Sequence, residues 1–177
     1  MSAPLTVSRP ELLSAGSDAD FRRLVHGLLA FASRLESIRA GFARIIGLSP
    51  IQYTILISIA HLESDYDVSV NMLAEHLQLS GAFITIETTK LVKLNLLTKQ
   101  PDPQDRRRVS LKTTSKARNL VRSLAPVQTP VNDQLFEFLD RSTFREILEM
   151  LDPMVACADR ALNLLEYHSH ERMGVRS

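Results

Sequence analysis

The sequence predicts a mostly α-helical protein with one small β-hairpin, and three observations predict it. Apolar residues recur at helical spacing from Phe21 to Ile46. Two shorter helical segments open on the serines Ser69 and Ser80. Two strand-like segments then flank the connection in KQPDPQDRRRVSL, which holds two prolines, two aspartates and the run Arg106, Arg107, Arg108.

At 177 residues, with 45% hydrophobic and 23% charged residues, the chain has ordinary globular composition, and one compact unit is expected. The N-terminal MSAPLTVSRPELLSAGSD lacks an apolar core flanked by basic residues. No apolar run reaches the roughly 20 residues of a membrane span, so a soluble, cytoplasmic protein without a membrane partner is expected. The single Cys157 cannot make an internal disulfide, which fits a reducing compartment. Net charge is only +1, yet residues 90 to 122 hold ten cations against Asp102 and Asp105. That stretch is therefore strongly basic and the remainder net acidic, a distribution that attracts phosphate whatever the overall balance.

The elements follow in order. Phe21, Leu24, Val25, Leu28, Phe31, Ala32, Leu35, Ile38, Phe42 and Ile46 form the apolar stripe of one long helix, which Gly47 ends. Ser49-Pro50-Ile51-Gln52 restarts a helix with an N-cap serine, a proline at the first position and a glutamine placed for a capping box. This second helix, through about His61, is nearly all apolar and belongs in a core. Ser69 caps a short helix to Gln78 with Leu73, Ala74 and Leu77 inward. Ser80 caps another through about Leu94 with Ile84, Thr88 and Leu91 inward, and Asn95 closes it in a left-handed conformation. Leu96 to Gln100 and Arg108 to Thr113 are the hairpin strands. Thr114 caps a further helix, interrupted near Pro126 and Pro130, and Thr143-Phe144-Arg145-Glu146 reads as the capping box of a last helix reaching about His168. Phe136, Leu139, Phe144, Ile147, Leu148, Leu151, Leu162 and Leu165 exceed what a three-helix core buries, so a second chain is expected to cover them.

Helix, turn, helix and basic hairpin in this order describe a winged helix-turn-helix. Leu79-Ser80, Thr85, Leu91, Leu96 and Asp102-Pro103-Gln104-Asp105-Arg106-Arg107, with the alternation that follows, resemble the MarR family of bacterial transcription regulators. The start Leu48-Ser49-Pro50-Ile51-Gln52-Tyr53 is similar to that family's pattern too, and the resemblance runs from about residue 20 to 168.

The resemblance implies a winged helix-turn-helix flanked by N- and C-terminal dimerisation helices. Residues 1–17 are then a flexible N-terminal segment, 18–47 a dimerisation helix, 48–113 the DNA-binding domain, 114–168 the C-terminal dimerisation helices and 169–177 a tail. It implies a homodimer on double-stranded DNA, with half-sites about one helical turn apart. In similar proteins a wing aspartate braces a wing arginine in the minor groove, roles that fall on Asp105 and Arg107, while Arg106 and Arg108 meet phosphates. The helix after Ser80 presents Ala82, Thr85, Ile86, Thr89 and Lys93 outward to a major groove. Ser80, Thr85 and Thr89 are candidates for phosphates or base edges, Lys90 and Lys93 for phosphates, and Ala82 and Ile86 for thymine methyl groups. The sequence departs from the family's usual pattern at Phe83, Ile86 and Glu87, so base preference does not transfer.

Similar regulators often release DNA when a small aromatic acid binds, and most are repressors, so an effector-relieved repressor is expected; the alternative is a ligand-independent architectural DNA-binding protein. Helical stepping places Arg39 inside the first helix's apolar stripe, level with Phe21, Val25 and Ala32. It is read there either as half of an ion pair or as the anion receptor for the effector's carboxylate. Cys157 reads as a buried structural cysteine rather than an oxidation sensor. His61, Glu63, Asp65, Asp67 and His76 read as a solvated acidic turn rather than a zinc site, and His168 and His170 as a frayed tail. No metal or cofactor is expected, and no Gly-rich phosphate loop, nucleophile elbow or metalloprotease signature points to an enzyme.

Overall fold

The computed structural model describes residues 4–101 and 109–174; Asp105, Arg106, Arg107 and Arg108, the expected wing residues, lie outside them. Where one compact unit is expected, the chain divides into two, one ending at Gln128 and the other beginning at Thr129. The physical reason is that residues 148–171 are exposed throughout, so the last helix buries little within its own chain. Among the described residues the order is α1 (Ala19–Ile45), α2 (Pro50–Leu62), α3 (Val70–Leu77), α4 (Gly81–Lys93), β1 (Leu97–Pro101), β2 (Val109–Thr113), α5 (Ser115–Arg122), α6 (Ala125–Leu135) and α7 (Arg141–Gly174). No single helix among them is long and apolar enough to cross a membrane.

In the first unit α2 is the hub, packing on α1, α3, α4 and β2. Its start follows from four residues. Gly47 turns the chain at φ +73, Ser49 Oγ accepts from the Gln52 amide at 3.3 Å, Gln52 Oε1 accepts from the Ser49 amide at 3.2 Å, and Pro50 takes the first position, where no amide donor is needed. Tyr53, Ile55, Leu56 and Ile59 of α2 are buried with Leu73 of α3, Ile84 and Leu91 of α4, Leu97 of β1 and Leu111 of β2. Each such aliphatic side chain contributes about 1.5–3 kcal/mol of burial.

Ser69 caps α3 through the Met72 amide at 3.2 Å, and Gln78 closes it with φ +53. Ser80 caps α4 through the Phe83 amide, and Asn95, at φ +57, turns the chain into β1. The strands are antiparallel, Leu97 opposite Thr113 and Pro101 opposite Val109, and the Leu111 amide also donates to the Val68 carbonyl at 2.8 Å. Within residues 4–17, part of the segment 1–17 expected as flexible, there is a 3-10 turn at Pro10–Leu12. Thr6 there donates its amide (2.8 Å) and hydroxyl (2.7 Å) to the buried Asp18 carboxylate, holding that carboxyl below its ordinary pKa.

In the second unit α7 corrects two expectations. The helix starts at Arg141 because Asp140 Oδ1 accepts from the Thr143 amide at 2.8 Å, so Asp140 is the cap in place of Thr143. A carboxylate is the stronger acceptor at a helix N-terminus, and that amide bond holds Asp140 below the usual carboxylate pKa. The helix also continues to Gly174, past the expected end near His168, so His168 and His170 are helical. Cys157 is exposed rather than buried, because no residue from 148 to 171 is covered, and its Sγ accepts from Arg160 Nη2 at 3.0 Å.

Candidate nucleic-acid interface

The outer face of α4 and the hairpin beside it make the site. Ile84, Thr88 and Leu91 are buried as expected, which leaves Ala82, Phe83, Thr85, Ile86 and Lys93 exposed and Thr89 half-buried. Three hydroxyls are already committed as donors, since Thr85, Thr88 and Thr89 bond the carbonyls of Gly81 (2.8 Å), Ile84 (2.8 Å) and Thr85 (2.7 Å). Thr85 therefore offers a ligand an acceptor only. Thr89 also accepts from Lys99 Nζ at 3.2 Å, which ties α4 to β1. Ser80 Oγ is occupied as the helix cap but keeps its hydroxyl proton.

The basic stretch is partly structural. Lys116 Nζ donates to the Leu94 carbonyl at 2.9 Å, a cation at the C-terminal end of α4. Arg118 Nη1 donates to the Thr113 carbonyl at 2.8 Å, and Arg122 Nη1 to Asn119 Oδ1 at 3.3 Å. Lys90 Nζ lies 2.6 Å from Glu87 Oε1. Of the two lysines on α4, Lys90 is ion-paired and Lys93 has no ion pair among the described residues.

Sequence reasoning missed two carboxylates. Glu87 is only 5% exposed and reaches back to Gln52 Nε2 at 3.3 Å. Its position was legible, because 84, 87, 88 and 91 share one helical face. Glu63, grouped with the acidic turn, instead accepts the Thr113 amide at 2.7 Å and the Thr113 hydroxyl, anchoring the end of β2 to the end of α2. Nothing local in the sequence marks that pairing, since the partners lie fifty positions apart. Among the described residues no group of three or more histidine, cysteine or acidic side chains is placed to hold a metal.

Arg39 is half-buried with its guanidinium carbon 5.3 Å from the centroid of the buried Tyr53 ring. Among the described residues of this one chain Arg39 makes this cation–π contact, and no ion pair of it is present there. Tyr53 also meets Phe42 edge-on, centroids 6.4 Å apart at 62°, so α1 is fastened to α2 through one aromatic.

These features define a winged helix-turn-helix protein. Residues 46–108 match the family model described as MarR family. No match was found among curated proteins. Among solved structures the chain is similar to AbsC, a MarR family transcriptional regulator from Streptomyces coelicolor, at 18% identity and TM-score 0.64, covering 78% of this chain and 93% of that one. It is similar to a MarR protein from Peptoclostridium difficile at 19% and 0.61, covering 84% and 94%. It is also similar to S. aureus MepR, solved as a DNA complex, at 17% and 0.57, covering 85% and 99%. At these identities the likeness is one of fold.

Proposed function

We propose that this protein is a sequence-specific regulator of transcription that binds double-stranded DNA as a homodimer and acts as a repressor relieved by a small aromatic acid. The observation that carries the reading is the exposed face of α4, where Ala82, Thr85, Ile86 and Lys93 stand out on a helix braced from behind by its buried residues, beside a hairpin continuous with the arginine run. Ala82 and Ile86 suit thymine methyl groups, Thr85 a base-edge donor, Ser80 and Lys93 the phosphates. Asp105, Arg106, Arg107 and Arg108 supply the wing. The MepR neighbour was solved as a DNA complex, which supports the DNA-binding reading.

A second copy is the proposed occupant of two exposed apolar faces, Leu24, Val25 and Leu28 on α1 and Leu148, Leu151 and Leu162 on α7. Titration against a duplex from upstream of the protein's own gene and a shuffled duplex, across a salt series, tests the reading. The expected result is a tighter complex with the first and steep salt dependence with both. Absence of binding to either at low salt would overturn it.

For the effector, the half-buried Arg39, whose guanidinium carbon lies over the Tyr53 ring, is the proposed carboxylate receptor. Arg39→Met is expected to keep DNA binding while abolishing release by a panel of aromatic carboxylates that release the native protein. Unchanged release in the variant would assign the effector to another site.

A further inference from the structure

The α4 face is poor in charge for a helix read as entering a major groove, and Glu87 makes it poorer. This carboxylate is almost fully buried, and both its oxygens are engaged, one by Lys90 Nζ at 2.6 Å and the other by Gln52 Nε2 at 3.3 Å. Gln52 is itself held, because its Oε1 accepts from the Ser49 amide in the α2 capping box. A chain of contacts therefore runs from the start of α2 through Glu87 to the ammonium of Lys90, whose side chain remains half-exposed.

We propose that Glu87 is a specificity-determining residue that withholds Lys90 from the phosphate backbone, an inference that rests on the DNA-binding reading above. The pair carries no net charge, so bringing it to a phosphate releases little counterion. Drawing the ammonium away to a phosphate would strand a buried carboxylate with one amide partner. Non-specific DNA affinity is almost entirely counterion release, whereas discrimination comes from base-edge and apolar contacts. Neutralising one cation in the last turn of the reading helix lowers the first and spares the second. The helix is left to read with Ala82, Thr85 and Ile86, and the ratio of specific to non-specific binding rises. Gln52 serves as the positioning residue, fixing the carboxylate from the other side.

The test is the salt dependence of binding to a mixed-sequence duplex. Glu87→Gln keeps size and one acceptor oxygen, removes the negative charge and so frees the ammonium. It is expected to steepen the logarithmic salt slope by about 0.9 per protomer and to tighten low-salt binding. Lys90→Gln in the native background is expected to leave the slope unchanged, and in the Glu87→Gln background to remove the gain. Thermal unfolding followed by circular dichroism checks that each variant folds. If Glu87→Gln does not, Lys90→Gln alone decides: an unchanged slope supports the inference, and a slope shallower by about 0.9 overturns it. Native protein that binds neither this duplex nor the upstream one overturns the DNA-binding reading itself and this inference with it.

Discussion

Tyr53→Ala is expected to cost about 3–5 kcal/mol of folding stability, the range for truncating a buried aromatic. The ring is 1% exposed, meets Phe42 edge-on, lies under the Arg39 guanidinium and carries a hydroxyl bonded to the Gln128 side chain. One side chain thus joins α1, α2 and the start of α6, and its loss leaves a cavity and removes a cation–π contact together. Tyr53→Phe keeps the packing and loses only the hydroxyl bond, about 1 kcal/mol. The two variants also differ in alkali. Burial pushes the Tyr53 hydroxyl above its ordinary value of 10.0, against the opposing charge of Arg39 and the bond with Gln128. The folded chain then keeps a proton at a pH where the unfolded chain has released it. That contribution is fully present below the unfolded pKa and is lost as pH rises through the folded one. Urea unfolding of native protein and Tyr53→Phe, compared at neutral pH and above the unfolded pKa, is expected to show a shallower alkaline loss in the variant. A Tyr53→Ala cost under about 1 kcal/mol would show that the ring is no keystone.

Arg107→Ala is expected to weaken binding by about 1–3 kcal/mol on both the upstream and the shuffled duplex. Arg107 belongs to the connection between the paired strand ends Pro101 and Val109, and a guanidinium entering a minor groove is drawn by its potential more than by base identity. Affinity should therefore fall on both sequences, and the salt slope should become shallower. Loss confined to the upstream duplex would instead make Arg107 a direct base reader. No change on either would reduce the arginine run to a solvated turn.

Much of the scaffold was legible because its signals are local. Ser49, Ser69, Ser80 and Thr114 each cap the helix that follows through an amide three residues on, and Gly47 and Asn95 take the positive φ that a helix end requires. The start of the last helix is less legible, since Asp140 and Thr143 both offer a cap and only the backbone path decides between them. The exposure of Cys157 was illegible for a related reason, because helical spacing identifies an apolar face but not whether anything in the same chain covers it.

Within the site, periodicity placed Ile84, Thr88 and Leu91 inward and Ala82, Thr85, Ile86 and Lys93 outward, as an α-helix of this composition must. What each polar group is free to do depended on neighbours distant in sequence. Thr89 is bonded by Lys99, Lys90 is paired with a Glu87 that Gln52 fixes from α2, Thr113 is held by Glu63, and Arg39 lies over a ring on the next helix. Secondary structure and facing follow from caps and apolar spacing, which act over a few residues along the chain. The availability of a charge or hydroxyl follows from desolvation and pairing, which are properties of three-dimensional proximity, and only the folded chain decides those.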